Sequence, residues 1–152
     1  MQKAKMSGKD LIKEAPRSPH ERLGGFAILA RTIDKCRATI AGTVGEYHFN
    51  CPLDKSLFSF KGIIGDDFKK FVETGATDNE IAEWVKKNGS PKTGAEIKVW
   101  SDKVSNNNYS DKPENKVWLE GENKRLGLPK EGTLFDYLDA DDKASFSAVC
   151  NV

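Results

Sequence analysis

Five cations crowd one early stretch of the chain: Arg17, Arg22, Arg31, Lys35 and Arg37. Arginine's planar fork suits carboxylate and phosphate, so this set predicts a site for a small anionic ligand. A helix start beside Arg17 and Arg22 would add free amide groups that face an anion. Asp34 lies three residues after Arg31, the spacing at which a carboxylate pairs with or orients an arginine on a helix. Arg37 falls at the edge of an apolar arc, where a charge needs a partner or an opening. Far along the chain, Asp139-Ala140-Asp141-Asp142 supplies the opposite charge. This run lacks the spacing and glycine of a calcium loop. Its expected partners are therefore the arginines, and Asp139 and Asp141 join them in one polar site with no metal assigned.

Cys36, His48 and Cys51 form a second constellation. A thiol beside an imidazole can act as a nucleophile, and three such ligands suit zinc. No fourth ligand lies nearby in sequence, and buried cysteine commonly behaves as a small hydrophobe. His48 and Cys51 remain the candidate reactive groups if the protein is an enzyme. No Gly-rich phosphate loop, serine nucleophile elbow or paired metal-binding histidines occur, and no motif indicates a cofactor. Trp84, Trp100 and Trp118 fall on or near helical apolar stripes and read as core, not as a platform for bases or sugars.

Helices must position these residues. Ser18, Pro19 and Glu21 write a capping box with a favourable proline, predicting a helix over 19–41 that Gly42 ends. Phe26, Leu29, Ile33, Cys36 and Ile40 would share its inner face, with Arg31, Asp34 and Lys35 on the outer one. Gly24-Gly25 inside this helix would cost up to ~1 kcal/mol each relative to alanine, so a segment or ligand should approach there. Lys9 to Glu14 suits about one turn. Residues 43–51 are too rich in glycine for a helix and suit a short two-stranded β ribbon. Leu57, Phe58 and Phe60 supply core anchors. A helix starts at Asp66 or Asp67 and ends before Gly75. Thr77 with Glu80 and Thr93 with Glu96 write two more capping boxes, followed by the stripes Ile81-Trp84-Val85 and Ile97-Trp100-Val104. Pro113 opens a helix to about Lys124 with Val117, Trp118 and Leu119 for burial, and Thr133 caps a last one from Leu134 to Asp139. The fold class is mainly α: an irregular bundle of about five to seven helices.

A chain of 152 residues predicts one domain, 9–152, after a loose stretch at 1–8. No apolar run approaches the ~20 residues of a membrane span, which argues against a membrane partner. The net charge of +1 argues against nucleic acid. Residues 1–42 carry nine Lys/Arg against four Asp/Glu, whereas residues 131–152 carry one Lys against five acids. Such ends should face each other, within one chain or between subunits of a homo-oligomer. An odd cysteine count and the lack of a secretory signal predict a reducing, cytoplasmic setting. Three function classes stay open: a binding or regulatory module with an anion-accommodating site, an enzyme acting on a small anionic substrate through Cys51 or His48, and a self-associating structural protein.

Several strings carry a resemblance. Pro16-Arg17-Ser18-Pro19, Leu23-Gly24-Gly25, Ala30-Arg31-Thr32-Ile33-Asp34-Lys35 and Arg37-Ala38 are followed by Asp78-Asn79-Glu80-Ile81 with Trp84, Trp100-Ser101-Asp102-Lys103, and Leu134-Phe135-Asp136-Tyr137-Leu138-Asp139-Ala140-Asp141-Asp142. Together they resemble a bacterial family of small proteins known as domain of unknown function DUF5069. The resemblance implies one compact domain and no particular activity. The family's ending has Glu where this chain has Asp142, which keeps the charge and shortens the reach. It does not extend to the cysteines.

Overall fold

Capping chemistry sets most of the helix boundaries. The computed structural model describes residues 8–109 and 112–150, with side chains through residue 146. The helices are α1 (Leu29–Ala41), α2 (Pro52–Lys61), α3 (Gly65–Val72), α4 (Asp78–Lys87), α5 (Gly94–Ser105), α6 (Pro113–Arg125) and α7 (Leu134–Cys150). Thr77 and Thr93 each close a full capping box, with Glu80 and Glu96. Pro52 and Pro113 occupy first-turn positions, where a missing N–H costs nothing. Gly42 ends α1 in the left-handed conformation and bonds back to the Ala38 and Thr39 carbonyls. The fold is mainly α, an irregular bundle. Among the described residues no strand forms, and the only β pairing is an isolated Leu23–Phe26 bridge. The ribbon expected at 43–51 is a series of turns.

Helix α1 lies at the centre. Every residue from Leu29 to Cys36 is buried. Phe26, Leu29, Ile33 and Cys36 pack with Leu57 and Phe58 of α2, Phe68 and Val72 of α3, Ile81 and Val85 of α4, and Ile97 of α5. Ala27, Ile28 and Phe135 tie the entry of α1 to α7. Leu119, Leu134 and Tyr137 join α6 to α7. Trp84 stacks on Phe71 at 5.4 Å and Trp100 on Phe60 at 4.8 Å, so both serve the core. Trp118 does not: it is 49% exposed, with its edge against Tyr137, and Val117 is 68% exposed. Of the three apolar residues expected inward on α6, Leu119 alone is buried.

The predicted helix over 19–41 is half right. Residues 19–28 form an irregular strap, because Gly24, Gly25 and Ile28 all have positive φ and a right-handed helix cannot pass through them. The Ser18 hydroxyl accepts from the His20 N–H, and the Ser18 carbonyl accepts from the Glu21 N–H; the expected capping box is a local turn. The glycines let the strap lie close to α4 and α5: a side chain on Gly24 would meet Ala82, and one on Gly25 would meet Ile97. Arg31, Asp34 and Lys35 are buried, not solvated, whereas Ile40, expected inward, is 40% exposed. Helix α2 was not predicted, and α7 continues eleven residues beyond the expected end at Asp139.

One turn depends on glycine. Gly89 has φ +71, and a Cβ there would overlap the Lys61 carbonyl, which accepts the Ser90 N–H at 2.6 Å. Buried Lys61 completes this latch by donating Nζ to the Ser90 and Lys86 carbonyls. Gly121, inside α6, faces open space. Gly89→Ala should therefore destabilise the protein by about 2 kcal/mol or more, whereas Gly121→Ala should stabilise it by roughly 1 kcal/mol. Urea unfolding at unchanged slope measures both.

Candidate functional site

The buried charges of α1 each reach a different segment. Arg31 donates from Nη1 to Asp142 Oδ2 of α7 at 2.8 Å and to the Arg17 carbonyl at 3.3 Å. Tyr47 donates its hydroxyl to Asp142 Oδ1 at 2.7 Å, and its ring lies under the Arg31 guanidinium at 5.5 Å. Burial, then the hydrogen bond to Asp142, pushes the Tyr47 phenol well above its ordinary range, so it stays a donor. Lys35 Nζ lies 3.0 Å from Asp54 Oδ2 and donates to Cys51 Sγ at 3.2 Å. Asp54 is fully buried and also accepts from Thr32 Oγ1 at 2.6 Å and the Asn50 N–H at 2.9 Å.

These groups border a cavity of about 720 Å³. Its polar lining comprises Arg31, Lys35, Tyr47, His48, Cys51, Asp141 and Asp142. The remaining wall is mainly apolar, with Leu11, Ile12, Leu53, Leu134, Leu138 and Phe146. Helix α7 supplies Leu134, Leu138, Asp141, Asp142 and Ser145 from one face, at helical spacing.

A second network lies apart from the cavity. Asp34 accepts the Arg17 N–H at 2.8 Å, Nε at 3.1 Å and Nη2 at 3.0 Å. Arg17 Nη1 continues to Asp78 Oδ2 at 2.8 Å, and Arg37 Nη1 reaches Asp78 Oδ1 at 2.9 Å. Arg37 Nη2 donates to the Ala76 carbonyl at 3.0 Å. The network ties the segment before the strap to α1 and α4.

The residues expected in one site are thus divided. Arg31, His48, Cys51 and Asp141 border the cavity; Arg17, Asp34 and Arg37 belong to the second network. Arg22 pairs with Asp102 at 2.7 Å on the surface. Arg31 pairs with Asp142, not with Asp34. The acidic end does meet the basic half through Arg31, but Asp141 pairs with Arg125. Asp139 lies beside His20 and Asp136, whose ligand atoms all fall within 4.8 Å of one another. Among the described residues this trio, with His20 and Asp136 exposed and Asp139 half-buried, is the one group of three such side chains close enough to share a metal ion, and His20 Nε2 already contacts Asp136 Oδ1 at 2.9 Å. Cys36, His48 and Cys51 do not converge in that way. Cys36 is fully buried, and burial pushes its thiol up to about 12, which leaves it inert at neutral pH.

Sequence reasoning missed Tyr47, Asp54 and Asp78 and placed Lys35 on the solvent. One signal was available: Arg31 and Lys35 are four apart and must share a face of any helix.

Asp78 sets an acid-side dependence. Burial alone would raise its carboxyl, but the hydrogen bond and charge of Arg17, followed by those of Arg37, outweigh this and hold it below its ordinary value. Its stabilisation is therefore complete above the unfolded carboxylate value near ~4 and is lost as pH falls through the lower folded value. Asp78→Asn should cost about 2 kcal/mol at pH 7 and flatten the decline in unfolding free energy below about pH 4. Denaturant titrations from neutral to acidic pH would show an unchanged acid limb if this reading were wrong.

The profile of domain of unknown function DUF5069 matches residues 13–144, which include both networks and most of the cavity wall, though not Leu11, Ile12, Ser145 or Phe146. No curated protein matches the chain. No described helix is long and apolar enough to cross a membrane. On the extent of the profile match, the chain belongs to the DUF5069 family.

Proposed function

We propose that the protein is a binding module for a small amphipathic molecule, held in the cavity between α1, α2 and α7. The observation that carries this reading is a cavity of about 720 Å³ whose mainly apolar wall also includes the donors Arg31, Lys35 and Tyr47. Ligand sites commonly have that size and that division of labour.

The donor inventory narrows the head group. Lys35 has three ammonium hydrogens, and Asp54 and Cys51 engage two contacts. Arg31 has five N–H groups, and three bonds from them reach described residues. The remaining hydrogens ask for an acceptor. The charges, however, are already balanced by Asp54 and Asp142, and buried pairs of this kind resist separation. A neutral acceptor such as a carbonyl therefore fits better than a full anion, which refines the anion site expected from the basic residues. Free Cys36 and Cys51 support a reducing, cytoplasmic setting for this activity.

Thermal unfolding with octanamide, octanoate and inorganic phosphate tests the proposal. Octanamide should raise the midpoint, with a gain of ~2.7 kcal/mol at a hundred times its dissociation constant. Ser145→Trp, an exposed substitution at the cavity wall, should remove the response while changing unliganded stability by no more than about 0.5 kcal/mol. No shift with octanamide or octanoate would overturn the binding reading, and a shift with phosphate alone would overturn the neutral head group.

A further inference from the structure

The cavity contains more than a binding surface. Cys51 borders it half-buried, at the N-cap of the ten-residue helix α2. Asn50, immediately before it, has φ +64, a left-handed conformation that few non-glycine residues adopt. That backbone is held by the Asn50 N–H on Asp54, and Asp54 in turn anchors Lys35. Lys35 is 3% exposed and donates to the Cys51 sulfur at 3.2 Å. A helix N-terminus, a buried ammonium donor and an open cavity therefore meet at one thiol. A reactive cysteine needs a partly accessible setting with a positive donor beside it, and Cys36, fully buried among apolar side chains, lacks the access.

From this arrangement we infer that Cys51 is a nucleophile toward electrophiles that enter the cavity, and that its substrate class is α,β-unsaturated carbonyl compounds with an apolar tail. The inference rests on the binding reading for the tail and on Lys35 and α2 for the thiol. The carbonyl is the neutral acceptor that the spare donors require, and the tail follows Leu134 and Leu138. The sulfur forms a bond to the β-carbon. The π electron pair moves to the carbonyl oxygen as an enolate, and the proton lost from the thiol returns to the α-carbon. The net change is addition of S–H across the double bond, with no leaving group and no oxidant. Lys35 lines the same cavity, and its third ammonium hydrogen supplies a hydrogen bond to the carbonyl oxygen as the electron pair moves onto it.

The test is the rate of adduct formation at each cysteine, followed by peptide mass spectrometry on the full chain with N-ethylmaleimide and N-hexylmaleimide. Glutathione is the free-thiol reference and Cys36 the internal one. Cys51 should react with N-ethylmaleimide at least about tenfold faster than glutathione, and Lys35→Met should remove at least about tenfold of that rate. The hexyl reagent should gain at least about a further tenfold at Cys51, and nothing with glutathione, because only the cavity receives the tail. A Cys51 rate no higher than that of glutathione overturns the inference, even if octanamide binds. A fast rate without tail dependence supports the nucleophile and overturns the binding reading. The wild-type comparison stands alone should Lys35→Met fail to fold; a folded Lys35→Met with the wild-type rate overturns the role given to Lys35.

Discussion

Three charged side chains within five residues of one helix, each 3% exposed, are the constraint around which this molecule is arranged. Arg31, Asp34 and Lys35 cannot be taken out of water alone, because an uncompensated buried charge costs several kcal/mol. Each therefore requires a partner, and α1 cannot supply all three. The partners come from α7 (Asp142), from the segment before the strap (Arg17) and from α2 (Asp54). Apolar contacts between helices tolerate sliding better than these pairs do. The ion pairs therefore fix which segment meets α1 and in what register, while the apolar cluster supplies the bulk of the burial.

The cavity follows from this arrangement. Asp142 draws the middle of α7 to Arg31, and Asp54 draws the start of α2 to Lys35. Neither contact closes the space between the helices, where Leu134, Leu138, Leu53 and Phe146 line a wall without filling it. The same pairs that hold the bundle together put Arg31, Lys35 and Asp142 in the wall of a mainly apolar space. Arg17 and Arg37, by contrast, spend their donors on Asp34, Asp78 and the Ala76 carbonyl. They brace α1 against α4 and lie outside the cavity.

Much of the framework was legible in the sequence, because capping is a local code. Thr77-Glu80 and Thr93-Glu96 mark their helices as written. Ser18-Glu21 carries the same letters, yet Gly24 and Gly25 turn the chain back against α4 and α5, and packing there overrides the signal. Helix α2 was hidden because its apolar residues, Leu57, Phe58 and Phe60, crowd its end and its start is marked only by Pro52. The acidic run at 139–142 reads as a terminus by composition; in the fold it is the interior of α7, facing α1 through Asp142. The cavity lining was partly legible: Arg31, His48, Cys51 and Asp141 were named, but burial of like-looking surface charges is a tertiary fact that periodicity misassigned. Lys35 shows this best, since its helical position opposite Ile33 and Cys36 looks solvated until α2 is placed against it.

A double-mutant cycle at Arg31 and Asp142 tests the central claim most directly, with unfolding free energies measured for Arg31→Met, Asp142→Leu and the pair. Each single substitution should cost about 3–5 kcal/mol, because it strands the other charge, and the double should recover at least about 2 kcal/mol of their sum. Effects that simply add, within about 0.5 kcal/mol, would mean that the pair does not set how α7 meets α1.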